Sequence, residues 1–367
     1  MIERVVLVSP RGFCAGVERA IAIVERALAI FPPPVFVRRA IVHNASVVAR
    51  LAAAGARFVD ELDEVPAGAV VIFSAHGVPA AVRDQARARD LRIIDATCPL
   101  VAKVHREVRR FSDRGFDVVL IGHPGHDEVV GTLGQSPGVH LIEQVADVED
   151  LRLDRPGKAA CVTQTTLSPQ DVGPVLDALR RRFPTLVQPP AADVCYATRN
   201  RQTAIAWLAR QVDVVLVIGD PTSSNSRRLC EVASAACKRA HLIAGAAELR
   251  ARWLTDARIV GVSAGASTPE EVVREVVAHL CRQGAVVQEE LIADERVAFG
   301  LPGAVASIPG AIGSGPRGAD FDRDPRHRVP RRWPARLPAA NRELRPARVS
   351  VETCAGPYAA AQTGVTP

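Results

Sequence analysis

Asp95-Ala96-Thr97-Cys98-Pro99-Leu100 marks the point where an apolar run, residues 91–94, gives way to a helical repeat carried by Val101, Val104, Val108 and Phe111. Proline suits the first helical position, where the N–H it lacks would have no partner anyway. Cys98 therefore stands at the hand-over from a strand to a helix. Exposed N–H groups and the macrodipole at such an end favour a thiolate over a thiol. Cys14 has the same setting, between residues 5–8 and a helical pattern through Val17, Ala20, Ile21 and Val24. So does Cys195, which follows Asp193-Val194 and precedes Ala204, Ala206, Leu208 and Ala209. These three cysteines, 84 and 97 residues apart, organise the chain.

Polar loops recur at matching distances from them. His43 lies 29 residues after Cys14, His126 28 after Cys98, and Ser224 29 after Cys195. A second set falls at 62, 67 and 72 residues: His76, Thr165 and Ser267. Between them strands and helices alternate, which predicts parallel sheets with right-handed crossovers. The expectation is an α/β cloverleaf: three similar units with mostly parallel sheets around a pseudo-threefold axis and a central cavity. Ligands of such sheets bind beyond the carboxyl ends of the strands, where these loops lie. The expected units are residues 1–97, 98–193 and 194–284, with 285–302 docking back on an earlier unit.

Residues 303–367 differ in character, with nine of the 27 prolines and no sustained periodicity, and are expected to form a disordered tail. That segment holds ten Arg against five Asp and Glu, so it carries most of the net charge of +6. The body is close to neutral and has no basic stripe with interleaved aromatics, which argues against nucleic acid as a partner. No apolar run approaches the roughly 18–20 residues that span a bilayer, so no membrane partner is expected. The first residues lack the plan of a signal peptide, which makes the cytoplasm the expected location. None of the eight cysteines forms a C-x-x-C pair, against a zinc ribbon or a ferredoxin-type ligand run. Cys161, Cys230, Cys237 and Cys281 read as core, and Cys354 falls in the tail.

Three helix-opening thiols without a fourth partner fit a zinc ion with an open position or an iron–sulfur cluster with one iron free of protein. Ser223-Ser224-Asn225 follows a strand and opens a helix, an anion cradle without a Walker loop. His43, His76 and His126 each end a strand and face that cradle, which suggests a diphosphate. Glu128, buried beside a metal centre, would have a raised pKa and serve as proton donor, with Thr165 as a hydroxyl relay.

With these residues assembled, the chain resembles the IspH/LytB family of 4-hydroxy-3-methylbut-2-enyl diphosphate reductases. The stretches that carry the resemblance are RGFCAGVERAI, IVHN, SAHGV, DATCP, GHPGHDEVVGTLGQ, TQTT, CYATRNRQ, SSNSRRL and AGAS, between Arg11 and Ser267. The resemblance implies one [4Fe-4S] cluster on Cys14, Cys98 and Cys195, its fourth iron open. It implies diphosphate binding by His43, His76, His126, Ser223, Ser224, Asn225 and Ser267. Glu128 falls on the family's proton-delivery acid and Thr165 near the substrate hydroxyl. The implied reaction is a two-electron, two-proton reductive dehydroxylation giving isopentenyl and dimethylallyl diphosphate, the last step of the non-mevalonate pathway. Reduced ferredoxin or flavodoxin would supply the electrons. Two positions depart from the pattern: Asp127, where the family usually has Pro, adds a charge beside Glu128, and Ala40 replaces an acid. The rival readings are a three-Cys zinc hydrolase of a phosphorylated substrate and a non-catalytic iron–sulfur sensor.

Overall fold

Runs such as Val70–Phe73, Asp117–Ile121 and Val214–Ile218 are buried along their whole length. Strands covered on both faces need continuous apolar sequence, the signature of parallel sheets with helices on either side. The computed structural model describes residues 1–189, 193–306 and 347–352, and in them three such sheets surround a central cavity.

Strand β1 (Arg4–Ser9) opens the chain. The first sheet contains β2 (Val35–Arg38), β3 (Ala56–Val59), β4 (Val70–Phe73) and β5 (Arg92–Asp95), in the order β3-β2-β4-β5. The second contains β6 (Asp117–Ile121), β7 (His140–Ile142) and β8 (Ala159–Thr163), in the order β7-β6-β8. The third contains β9 (Val214–Ile218), β10 (Ala240–Ile243), β11 (Ile259–Ala264), β12 (Val286–Leu291) and β13 (Ala347–Glu352), together with β1. Its order is β10-β9-β11-β1-β12-β13. All pairings are parallel except that of β13 with β12. No helix among the described residues is long and apolar enough to cross a membrane.

The placement of β1 corrects the expected first unit. Arg4 stands beside both Ile259 and Val286, so β1 is an inner strand of the third sheet. Val5 and Leu7 enter the core on one face of that sheet, Val6 and Val8 the core on the other. An apolar strand records that it is buried on two sides; it does not record which sheet does the burying. The 285–302 segment docks on this same strand through β12 and then crosses to the first unit, where Leu301 packs against its core. Two pieces of the 303–367 segment have regular structure: the short helix Gly303–Ala306, whose Val305 is buried in the first core, and β13. The rest of the expected tail, Cys354 included, lies outside the described residues. Strand β2 stops at Arg38, where the next residue, Arg39, takes a left-handed conformation (φ 58°).

The connections explain why the cysteines meet. Each lies where the chain leaves one sheet and starts the helix that covers the next. β1 of the third sheet leads through Cys14 to the helix Ala15–Ile30 in the core of the first. β5 of the first leads through Cys98 to Pro99–Asp113 in the core of the second. Val187 pairs with Ala160 of β8, and the chain then passes Cys195 to Tyr196–Leu208 in the core of the third. Three such passages, taken in cyclic order, bring all three cysteines to the seams between units.

Candidate active site

Cys14, Cys98 and Cys195 are all N-cap residues, and all three line the central cavity. The Cys195 sulfur accepts the Thr198 N–H at 3.2 Å and lies 3.0 Å from the Thr198 hydroxyl. Gly16 separates two of the thiols: a Cβ there would lie 2.8 Å from the Cys98 sulfur and 3.8 Å from that of Cys14. The three sulfurs are not all within 4.8 Å of one another; among the described residues only His43, His76 and Asp127 bring three ligand atoms that close. Burial opposes the thiolate expected from helix-start N–H groups alone. With Cys14 nearby, it pushes the Cys98 thiol up to about 12, and it pushes Cys195 up to about 11. N–H donation from Leu100, Val101 and Thr198 pulls the other way without winning. Ionisation here needs a bound cation, whose charge deprotonates a coordinating thiol outright.

The same cavity holds a cluster of imidazoles. The rings of His43 and His76 stack with centroids 4.1 Å apart, and His126 meets them edge-on at 5.2 and 5.8 Å. Burial lowers the pKa of all three, His126 to about 4, and the crowded His76 well below its ordinary value. The Nδ1 of His126 accepts the Glu128 N–H at 3.1 Å, which leaves Nε2 as its donor. His43 Nε2 is buried without a hydrogen-bond partner, and so is Asn225 Nδ2, whose Oδ1 is held by the Ala266 N–H at 2.9 Å. Ser223 caps the helix Ser224–Ser234 by accepting the Ser226 N–H, and the Ser224 hydroxyl lies 3.1 Å from that of Thr166. The Ser267 hydroxyl donates to the His43 carbonyl at 2.9 Å, tying the third unit to the first. Donors converge, and two of the buried ones lack an acceptor. That is the chemistry of a site for an anion.

Glu128 also lines this cavity and is 3% exposed. One carboxylate oxygen accepts the Thr165 N–H at 2.7 Å and the other the Thr165 hydroxyl at 2.9 Å. Burial outweighs these bonds and raises its pKa to about 7. The raised pKa fixes the sign of a stability effect. The native state holds this proton more tightly than the unfolded chain, so its stabilisation is complete below about 4.5 and is lost as pH rises through about 7. Relative to wild type, Glu128→Gln is therefore expected to gain on the order of 3 kcal/mol at pH 8 and nothing at pH 4. Thermal or urea melts of the two proteins at both pH values measure it; an equal gain at both would show that the carboxyl titrates normally.

The cysteines, the imidazoles, the Ser/Asn cradle, Glu128, Thr165 and Ser267 all line this one cavity. The sequence profile of the LytB protein family matches residues 5–281. The chain belongs to the LytB family. A LytB-family relative, the 4-hydroxy-3-methylbut-2-enyl diphosphate reductase of Methylibium petroleiphilum, is 52% identical over 303 residues, covering 82% of this chain and 92% of its own. The solved E-1-hydroxy-2-methyl-but-2-enyl-4-diphosphate reductase of Plasmodium falciparum superposes with a TM-score of 0.80 at 36% identity, covering 83% of this chain and 97% of its own. A second solved structure is a (E)-4-hydroxy-3-methyl-but-2-enyl diphosphate reductase described as the terminal enzyme of the non-mevalonate pathway. It has a TM-score of 0.56 at 31% identity, covering 76% of this chain and 99% of its own.

Against that family pattern Asp127 behaves differently from the sequence reading. Its carboxylate bonds Arg39 and lies 3.9 Å from His43 Nε2. Its charge thus acts on His43 and His126 and is absent from the groups that shift Glu128. Thr166, Thr198 and Phe299 also line the cavity and were not singled out in the sequence. Thr198 carried a signal, the N-cap spacing of three residues from Cys195. Phe299 carried none, since it comes from irregular chain beyond β12.

Proposed function

We propose that the chain reduces (E)-4-hydroxy-3-methylbut-2-enyl diphosphate to isopentenyl and dimethylallyl diphosphate, using a [4Fe-4S] cluster held by Cys14, Cys98 and Cys195. The observation that carries this reading is one cavity lined by three thiols, an anion cradle and a buried acid. The wide thiol triangle fits a cluster better than a single zinc, whose tetrahedral bonds of about 2.3 Å bring sulfurs to within about 3.8 Å of one another. When bound, such a cluster supplies single electrons and a Lewis-acidic iron.

The chain's own groups do the rest. His43, His76, His126, Ser223, Ser224, Asn225 and Ser267 hold the diphosphate, and the helix start at Ser224 adds its N–H groups. A diphosphate arriving among neutral imidazoles raises their pKa and draws protons in with it. The cation-ligand trio of His43, His76 and Asp127 is less suited to a metal ion, because Arg39 already engages the carboxylate. Glu128 gives its proton to the Thr165 hydroxyl, which passes its own to the departing substrate hydroxyl, so that water leaves. Electrons come one at a time from reduced ferredoxin or flavodoxin. The seven described cysteines are free thiols, in keeping with a reducing cytoplasm.

An iron and sulfide determination on anaerobically purified protein, with a visible spectrum and product analysis, tests the reading. About four of each per chain, a brown colour that bleaches in air, and both products are expected. A colourless, air-stable zinc protein would overturn it.

A further inference from the structure

The helix behind each cysteine sends a long cation toward the next cysteine. Arg19, five residues after Cys14, donates to the carbonyls of Ala96 at 3.3 Å and Thr97 at 3.2 Å, the two residues before Cys98. Lys103, five after Cys98, meets Asp193 Oδ1 at 2.7 Å, two residues before Cys195. The other oxygen of Asp193 accepts the Thr163 N–H at 3.0 Å, which fixes that carboxylate to the tip of β8. Arg201, six after Cys195, donates to the carbonyls of Gly12 at 2.9 Å and Phe13 at 3.1 Å, the two residues before Cys14. The circuit closes after three steps.

These are expensive side chains to place there. Arg19 is 4% exposed and Arg201 1%, and the Lys103 side chain 15%. Removing a cation from water costs several kcal/mol unless partners replace the solvent, and an apolar residue of similar volume avoids that cost. Each cation also has a second anchor: Gly300 O for Arg19 at 2.8 Å, Glu107 for Lys103 at 3.4 Å and Glu295 for Arg201 at 3.0 Å. Packing alone would be met by leucine or methionine. What packing cannot supply is a directed, two-ended tie between one cysteine's helix and the residues just before the next cysteine.

We propose that Arg19, Lys103 and Arg201 are positioning residues, a closed ring of ties that sets the triangle of Cys14, Cys98 and Cys195 for the metal centre. The proposal rests on the reading of those thiols as cluster ligands. It predicts that loosening one tie weakens the hold on iron at the neighbouring cysteine without removing any ligand.

The test uses full-length protein purified anaerobically, with Arg19→Met, Arg201→Met, Arg19→Lys and Arg201→Lys. Three quantities are read well below the melting temperature: iron release to a chelator, the electron paramagnetic resonance spectrum of the reduced cluster, and alkylation rates of the three cysteines in the apoprotein. The methionine variants are expected to release iron about tenfold faster or more, as metal sites do when a supporting partner is lost. Their spectra change, and the cysteine beyond the cut tie is alkylated several-fold faster. The lysine variants keep the charge but cannot hold two carbonyls in a fixed fork, so they fall between. Folded methionine variants with wild-type release, spectrum and alkylation overturn the ring. If methionine prevents folding, the lysine variants decide: unchanged release and alkylation overturn it. A wild-type protein without iron and sulfide sinks the cluster reading instead, and the alkylation rates still judge the ring.

Discussion

Replacing Glu128 with glutamine is expected to lower turnover by about 10²–10⁴-fold, the usual worth of a positioned general acid, while KM for the diphosphate stays within a few-fold of wild type. Both carboxylate oxygens are spent on Thr165, so the proposed reading gives the anion to the imidazoles and to the Asn225 amide, which lacks an acceptor, and not to Glu128. Glutamine keeps the volume and can still accept the Thr165 N–H, but it has no proton to give. In the pH profile, the wild-type limb that falls as pH rises should centre near 7, where Glu128 loses its proton, and this limb should vanish in the variant. Steady-state kinetics from pH 5.5 to 8.5 with a chemical reductant, which removes the electron donor as a variable, give both numbers. A variant that loses affinity and keeps turnover would place Glu128 in the diphosphate cradle and leave the proton source unassigned.

The α/β class and the residues that line the central cavity were legible in the sequence; the sheet that each strand joins was not. The three cysteines could be read because each carries its signal locally: an apolar run, a cysteine, then helical periodicity. The loop residues followed because equal spacings from equivalent cysteines imply equivalent places at the strand ends. Which strands share a sheet is not local information. β1 reads as a buried strand in either setting, and only pairing with Ile259 and Val286 shows that it belongs to the third sheet. The ionisation of Cys98 and Cys195 is hidden from the sequence for the same reason. A helix start can be seen in a sequence, whereas the burial that outweighs it comes from all three units at once. The cations at Arg19, Lys103 and Arg201 lie in plain view at five, five and six residues after the cysteines. They look like ordinary helix charges until the neighbouring carbonyls of Arg19 and Arg201 and the Asp193 carboxylate of Lys103 are in place.

Serine at any one of Cys14, Cys98 or Cys195 is expected to abolish turnover and strip the protein of most of its iron, while the apoprotein folds as before. The two halves of that statement have different physical grounds. Loss of a supporting partner already costs a metal site about 10–100-fold in affinity, so loss of a ligand itself costs more. Folding survives because each of these cysteines is an N-cap, the position where serine is among the best residues. At Cys195 the serine hydroxyl can accept the same Thr198 N–H that the sulfur accepts now. At Cys98 and Cys195 serine also relieves the apoprotein of nothing it needs, since burial holds those two thiols protonated. Circular dichroism and melting of the three apoproteins should therefore match wild type, and iron, sulfide and turnover should fall together in all three. Near-equal losses at positions 84 and 97 residues apart would be hard to reconcile with any role other than shared ligation. A serine variant that keeps its iron and turns over normally would remove that residue from the metal centre and break the threefold correspondence.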